Sequence, residues 1–275
     1  MKPKAFDYLR AETAEEAIAV LGEHGEEAKI LAGGQSMIAM LNLRLVEPRI
    51  LVDVSRVAPL AYVKAVGDRL EIGAATTQSE LLGWPELSSR IPLLAQAMPH
   101  IGHFQTRNKG TVCGSLAHAD PSSELPLCLA TLNGEVVLRS RRGERTLSAD
   151  AFQTGMLSTA RAADEIVAAA RYPFRRAGEG FAFAEVAMRR GDFAIVALAA
   201  VATAGGVRLG VGGMADRPAL RDWDDLDGSA LDDALNAFAW ELGGHDDTHA
   251  TARYRREMVR RLGRRVIEEA RACRH

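Results

Sequence analysis

Two short runs of small residues constrain this chain more than any other feature: Ala32-Gly33-Gly34-Gln35-Ser36, and Thr111-Val112-Cys113-Gly114-Ser115 about eighty positions later. Each follows an apolar stretch and combines glycine with a hydroxyl side chain. Glycine permits positive φ and leaves no Cβ in the way, so successive N–H groups can converge on an anion without a lysine. One such segment says little. Two in the same chain point to a diphosphate, and so to a dinucleotide.

The rest of the composition suits such a ligand. The chain has 275 residues, of which 47% are hydrophobic, and a formal net charge of -2, enough for a large core divided into two domains or a domain with subdomains. The start, Met1-Lys2-Pro3-Lys4-Ala5-Phe6-Asp7, lacks the apolar core of a secretory signal. The longest apolar run, residues 194–202, is too short to cross a bilayer. A cytoplasmic protein without a transmembrane segment is therefore expected. Cys113, Cys128 and Cys273 contain no C-x-x-C pair, and His118-Ala119-Asp120 offers only two potential ligands, so no disulfide framework or metal site is expected.

Thr13-Ala14-Glu15-Glu16 reads as a capping box opening a helix with Ala17, Val20 and Leu21 on its buried face. Lys29-Ile30-Leu31 is a short strand running into the first glycine segment, and residues 37–45 are helical or irregular and buried. Strands are expected at 50–54, 70–74, 135–138 and 165–168, and helices from Thr77, over 92–98 and over 125–132. The second glycine segment, 111–115, reads as a loop. Charge and glycine interrupt the pattern at Arg175-Arg176-Ala177-Gly178-Glu179-Gly180, where a domain boundary is expected. Beyond it lie antiparallel strands at 181–188, 193–202 and 207–211, then helices over about 229–242 and 249–272. In the last helix Tyr254, Met258, Leu262 and Val266 recur every four residues as the expected buried stripe.

Several other motifs fail on physical grounds. Gly210-Val211-Gly212-Gly213-Met214-Ala215 has glycine spacing suited to a dinucleotide, but Asp216-Arg217-Pro218 follows where an apolar helix must begin. There is no ATP-type G-x-x-x-x-G-K-[ST], and Ile38 breaks any nucleophile elbow at Ser36. Arg253, Arg255, Arg256, Arg260, Arg261, Arg264, Arg265, Arg271 and Arg274 raise a nucleic-acid reading. Glu257, Glu268 and Glu269 dilute that charge, which favours a solvated or subunit-facing surface.

The stretch from Lys29 to Ser36, followed by Met40-Leu41-Asn42-Leu43-Arg44-Leu45, resembles the first flavin loop of the FAD-binding medium subunit of molybdenum hydroxylases, the xanthine dehydrogenase and aerobic carbon monoxide dehydrogenase family. The block Arg107-Asn108-Lys109-Gly110-Thr111-Val112-Cys113-Gly114-Ser115-Leu116-Ala117-His118-Ala119-Asp120-Pro121, continuing to Glu124-Leu125-Pro126, is similar to its second loop. Arg189-Arg190-Gly191-Asp192-Phe193-Ala194, Gly212-Gly213-Met214-Ala215 and Tyr254-Arg255-Arg256 extend the resemblance over nearly the whole chain. It implies an α+β protein with a vanillyl-alcohol-oxidase-like (PCMH-type) FAD-binding domain over 1–176, made of two α/β subdomains at about 1–57 and 58–176. A C-terminal domain over 177–275, with a three-stranded antiparallel sheet and helices, would follow.

By that resemblance, Ile30, Leu31, Ala32, Gly33, Gly34, Gln35, Ser36 and Met37 form one wall around FAD, and Thr111, Val112, Cys113, Gly114 and Ser115 supply donors to its phosphates. Glu124 stands near the adenosine part, while Ile101, Val167 and Phe193 line the flavin and adenine pockets, with Asp120 a further candidate. Cys113 replaces a usual glycine, which a positive φ there would strain. Ala184 replaces a lysine that some relatives hold near the flavin.

The resemblance also implies an electron relay. A large subunit with a molybdenum–pterin centre hydroxylates substrate, a small subunit with two [2Fe-2S] clusters passes electrons to FAD in this chain, and an external acceptor receives them, in a dimer of heterotrimers. No side chain of this subunit is expected to be catalytic. The alternatives are a self-contained FAD-dependent oxidase or reductase, and a noncatalytic nucleic-acid or assembly protein using the arginine-rich helix.

Overall fold

Asp7–Arg10 (β1), Ala28–Leu31 (β2) and Ile50–Asp53 (β3) are strands of four residues that gain stability only as neighbours, and they pair in parallel in the order β1-β3-β2. The computed structural model, which describes residues 2–274, joins them through Ala14–His24 (α1) and Met37–Asn42 (α2). Thr13 caps α1, its hydroxyl accepting from the Glu16 N–H at 3.1 Å. The Glu16 carboxylate, however, accepts from Glu12 rather than Thr13, so the expected reciprocal box is only half formed. Ala17, Ile18 and Leu21 fill the buried face, and Val20 is half-buried.

A second sheet takes in Val63–Val66 (β4), Arg69–Gly73 (β5), Glu135–Ser140 (β6), Gly143–Ser148 (β7) and, beyond the ribbon of Gln153–Gly155 (β8) and Ser158–Thr159 (β9), Ile166–Pro173 (β10). Its order is β4-β5-β10-β6-β7, antiparallel throughout. The polar hairpin strand β7 and the ribbon are absent from the sequence reading, because Gly143-Glu144-Arg145-Thr146 has no apolar alternation to reveal it. Helices Gln78–Leu82 (α3), Leu87–Arg90 (α4), Pro92–Ala97 (α5), Phe104–Arg107 (α6), Val112–His118 (α7), Glu124–Thr131 (α8) and Ala149–Phe152 (α9) lie between the strands in sequence. Thr77 and Glu80 do form the complete capping box expected of them.

The middle strand β10 carries two cores. Val167, Ala170 and Tyr172 belong to the cluster shared with α5, α7 and α8, whereas Ile166, Ala168 and Ala169 join the cluster under α1 and β3. The alternation slips between Val167 and Ala169 through a β-bulge in the pairing with β6. Every residue of α8 is buried, which suits a helix apolar on nearly all sides packed against the two middle strands of the next sheet.

That sheet consists of Gly180–Val186 (β11), Val196–Thr203 (β12), Gly206–Gly212 (β13) and Ala219–Trp223 (β14), in chain order and antiparallel. It has four strands, not the three expected. The extra one is an edge strand with sequence ALRDW, whose charged Arg221 and Asp222 hide it from hydrophobic periodicity. Gly228–Leu242 (α10) and Ala252–Ala272 (α11) cover one face. The buried stripe of α11 is Arg255, Val259, Gly263, Val266, Ile267 and Ala270, so the expected stripe is correct only at Val266: Tyr254 is exposed, and Met258 and Leu262 flank the seam. A buried arginine and a buried glycine are invisible to a count of apolar residues. The arginines outside the stripe pair largely with acids: Arg260 and Arg261 with Glu257, Arg264 with Asp232 and Glu268, Arg265 with Glu269. Among the described residues no helix is long and apolar enough to cross a membrane.

Candidate cofactor-binding site

The strand β2 delivers the first glycine segment to a cleft of about 540 Å³, and α7 delivers the second to the same cleft. The volume lies within the range of small-molecule and cofactor sites. Ile30, Ala32, Gly33, Gly34, Gln35, Ser36 and Met37 line it on one side, and Thr111, Cys113, Gly114 and Ser115 on the other. Ile101, Glu124, Val167 and Phe193 also line it. Leu31, Val112 and Asp120 do not: Leu31 closes β2, Val112 is fully buried, and Asp120 lines a separate cavity with Met156 and Met214.

The second segment is not the loop expected from its glycine. Thr111 is the N-cap of α7, its hydroxyl accepting from the Gly114 N–H at 3.0 Å, and residues 112–115 are the first turn of that helix. Cys113 therefore has no positive φ, and the strain anticipated for a non-glycine residue is absent. Residues 110–112 also bridge residues 76–78, through Gln78 N–H to the Gly110 oxygen and Val112 N–H to the Thr76 oxygen.

The glycines serve the junction between the segments. A Cβ on Gly33 would overlap the carbonyl oxygen of Lys109 and lie 2.7 Å from the Gly110 Cα. A Cβ on Gly114 would come within 2.6 Å of the Thr111 hydroxyl that caps α7. Neither absent Cβ faces open cleft. Gly34, at φ 72°, is the one position in the first segment where the backbone itself favours glycine.

What this junction leaves over is a set of unused donors. Among the described residues, the N–H groups of Gly33, Gly34, Gln35, Ser36 and Cys113 meet no acceptor, and the hydroxyls of Ser36 and Ser115 are free. Gln78, which sequence reasoning missed, lines the cleft with its side chain buried and its Oε1 without a partner. Its only sequence signal was its place directly after the Thr77 cap. An orphaned acceptor beside a row of free amides is the environment a polar, phosphate-bearing ligand satisfies.

Charge in the cleft is unevenly distributed. Arg161 lines it with its guanidinium braced on the carbonyls of Ala162 at 2.9 Å and Glu165 at 2.7 Å, and Lys29 pairs with Glu26 at 2.8 Å. Glu124 is buried, and burial, reinforced by Glu185 and Asp120, pushes its carboxyl up to about 8, so it is protonated at neutral pH. His118 is held below its usual value by burial. The Cys113 thiol is pushed up to about 12 and that of Cys128 well above its ordinary value, both by burial, whereas Cys273 is exposed. No group of three or more possible metal ligands occurs among the described residues.

A larger cavity, about 710 Å³, opens elsewhere beside Phe174, Arg175 and Trp223. It includes neither glycine segment, and Arg208 and Asp222 within it neutralise each other. The smaller cleft is the one with unspent backbone donors.

Fold and cleft together define an FAD-dependent oxidoreductase subunit. Residues 4–175 match the model of the FAD binding domain in molybdopterin dehydrogenase. The chain is 37% identical to the nicotine 6-hydroxylase medium subunit of Paenarthrobacter nicotinovorans, over 98% of this chain and 99% of that protein. It is 31% identical to the carbon monoxide dehydrogenase medium chain of Afipia carboxidovorans, with 99% of each covered. A solved structure of the Cu,Mo-CO dehydrogenase superposes with a TM-score of 0.93 at 31% identity, and quinoline 2-oxidoreductase from Pseudomonas putida 86 with 0.91 at 30%, each over 99% of both chains. The chain belongs to the family of FAD-binding subunits of molybdenum hydroxylases.

Proposed function

We propose that this chain holds FAD with its diphosphate between the two glycine segments, and relays electrons from [2Fe-2S] clusters of a small partner subunit to an external acceptor. A large partner subunit with a molybdenum–pterin centre oxidises the substrate. The row of free N–H groups from Gly33 to Ser36, facing Cys113 and Ser115 across one cleft, carries this reading. Bound FAD supplies a carrier that exchanges electrons singly or in pairs. The chain's own residues do the rest: main-chain amides and the Ser36 and Ser115 hydroxyls hold the phosphates, and protonated Glu124 offers both a donor and an acceptor in place of a charge. Ile101, Val167 and Phe193 supply apolar wall, and no side chain is assigned a proton-transfer step.

The chain divides, in this reading, into an FAD-binding domain of residues 1–176 and a C-terminal domain of 177–275, with two subdomains in the first. It works in the cytoplasm in a dimer of heterotrimers. The likeness to medium subunits of multi-subunit enzymes over the whole length supports a relay over a self-contained oxidase, and the acid-paired arginines of α11 support a protein rather than a nucleic-acid surface. Expressing the full chain with flavin available tests the core of the proposal. A bound-flavin absorption spectrum is expected, with FAD rather than FMN released on denaturation; a colourless, folded protein that ignores added FAD overturns it.

A further inference from the structure

Residues 187–195, between β11 and β12, form a strap at the rim of the cleft. At its tip Gly191, with φ 88°, rests on residues 102–103, where a Cβ would lie 2.9 Å from the Gly102 oxygen. At its base Ile195 presses on Gly213, with φ 79°, where a Cβ would lie 2.6 Å from the Ile195 oxygen. Between these supports Phe193 lines the cleft while remaining 59% exposed.

Beneath the base lies Arg255 of α11, only 3% exposed. Its Nη1 donates to the carbonyl oxygens of Ile195 and, at 3.0 Å, Gly213, and its Nη2 donates to the Asp247 carboxylate. Asp247 is itself fixed, its Oδ1 accepting from the N–H groups of His249 and Ala250, both at 2.8 Å. The Nε of Arg255 is buried without an acceptor. A buried guanidinium with an orphaned donor is a poor solution for stability alone, since apolar replacements of buried ion pairs are often neutral or better. What arginine adds is a rigid planar fork that ties two carbonyls and a carboxylate into one geometry, which neither methionine nor lysine can reproduce.

We propose that Arg255 is a positioning residue for the cofactor cleft: from the last helix it fixes the base of the strap and so keeps Phe193 against bound FAD. The proposal rests on the cofactor assignment above. Its test is a double-mutant cycle in the full chain, with FAD titrated into flavin-free protein and followed by flavin fluorescence, and thermal midpoints taken without FAD. Arg255→Met and Phe193→Ala should each weaken FAD binding about tenfold, and the double variant no further, because the two act through one contact. Arg255→Lys should remain weakened. Unchanged affinity in Arg255→Met, or effects that multiply in the double variant, overturns the proposal, since a merely structural arginine lowers the thermal midpoint without coupling to Phe193. Should Arg255→Met not fold, Asp247→Asn, which loosens the fork from an exposed loop, enters the same cycle with the same expected coupling, and multiplying effects there overturn it equally. Failure of the unaltered chain to bind FAD is a separate outcome that removes the cofactor assignment itself.

Discussion

Gly33 packs directly on the backbone of Lys109, with no room between them for even a methyl group. The two halves of the cleft are thus fastened to each other before any ligand arrives. Gly33→Ala should force the segments apart and lower stability by about 1–3 kcal/mol, the usual range for overpacking. It should also lose FAD, as read by thermal midpoint and flavin content of the purified protein. Normal stability with flavin lost would instead mean that the added methyl meets the cofactor.

Thr111 caps α7 and bridges to Thr77, so its hydroxyl is structural first. Thr111→Val should cost about 1 kcal/mol in a denaturant titration, and Thr111→Ser should restore most of it. Equal stability of the two variants would show that the cap contributes nothing.

Gln78 separates stability from binding. Its buried Oε1 has no hydrogen-bond partner among the described residues, so Gln78→Leu should leave the chain measured without FAD as stable or up to about 1 kcal/mol more stable. The same variant should bind FAD about tenfold more weakly by titration. A variant that loses stability while keeping full affinity would contradict both halves.

Glu124 makes stability depend on pH. Because burial raises its folded-state value to about 8, the folded chain keeps a proton that the unfolded chain releases in the ordinary carboxylate range. Stability therefore falls as pH rises from that range toward 8 and is level beyond it. Glu124→Gln removes this slope, and its advantage over the unaltered protein should grow by about 4–5 kcal/mol between the ordinary carboxylate range and pH 8, the rise from 4.5 to about 8 read at about 1.4 kcal/mol per unit. Denaturant midpoints across pH 5 to 9 give the comparison; parallel curves would place Glu124 in a charged state throughout.

The legible parts of this chain were those written in local chemistry. Thr77 and Glu80 announce a helix start because both partners of the box lie within one turn, and the strand into Gly33 is announced by an apolar run stopped by glycine. The two glycine segments, read from their glycine and hydroxyl content, line one cleft. What stayed hidden depends on distant packing. Strand β14 exists because β13 offers it an edge, not because ALRDW alternates. The stripe of α11 was misplaced because Arg255 and Gly263 are buried by what faces them. Gly33 and Gly114 line one cleft, yet the space of each missing Cβ is taken by protein, since a sequence shows that a Cβ is missing but not which atom occupies its place.

The sealed thiols of Cys113 and Cys128 have a practical corollary. Neither is exposed and neither ionises near neutrality, so maleimides and mild oxidants should reach Cys273 alone. The native chain thus already carries a single attachment point, just past α11, for a spin label or dye with which to follow assembly and measure distances without engineering any cysteine away.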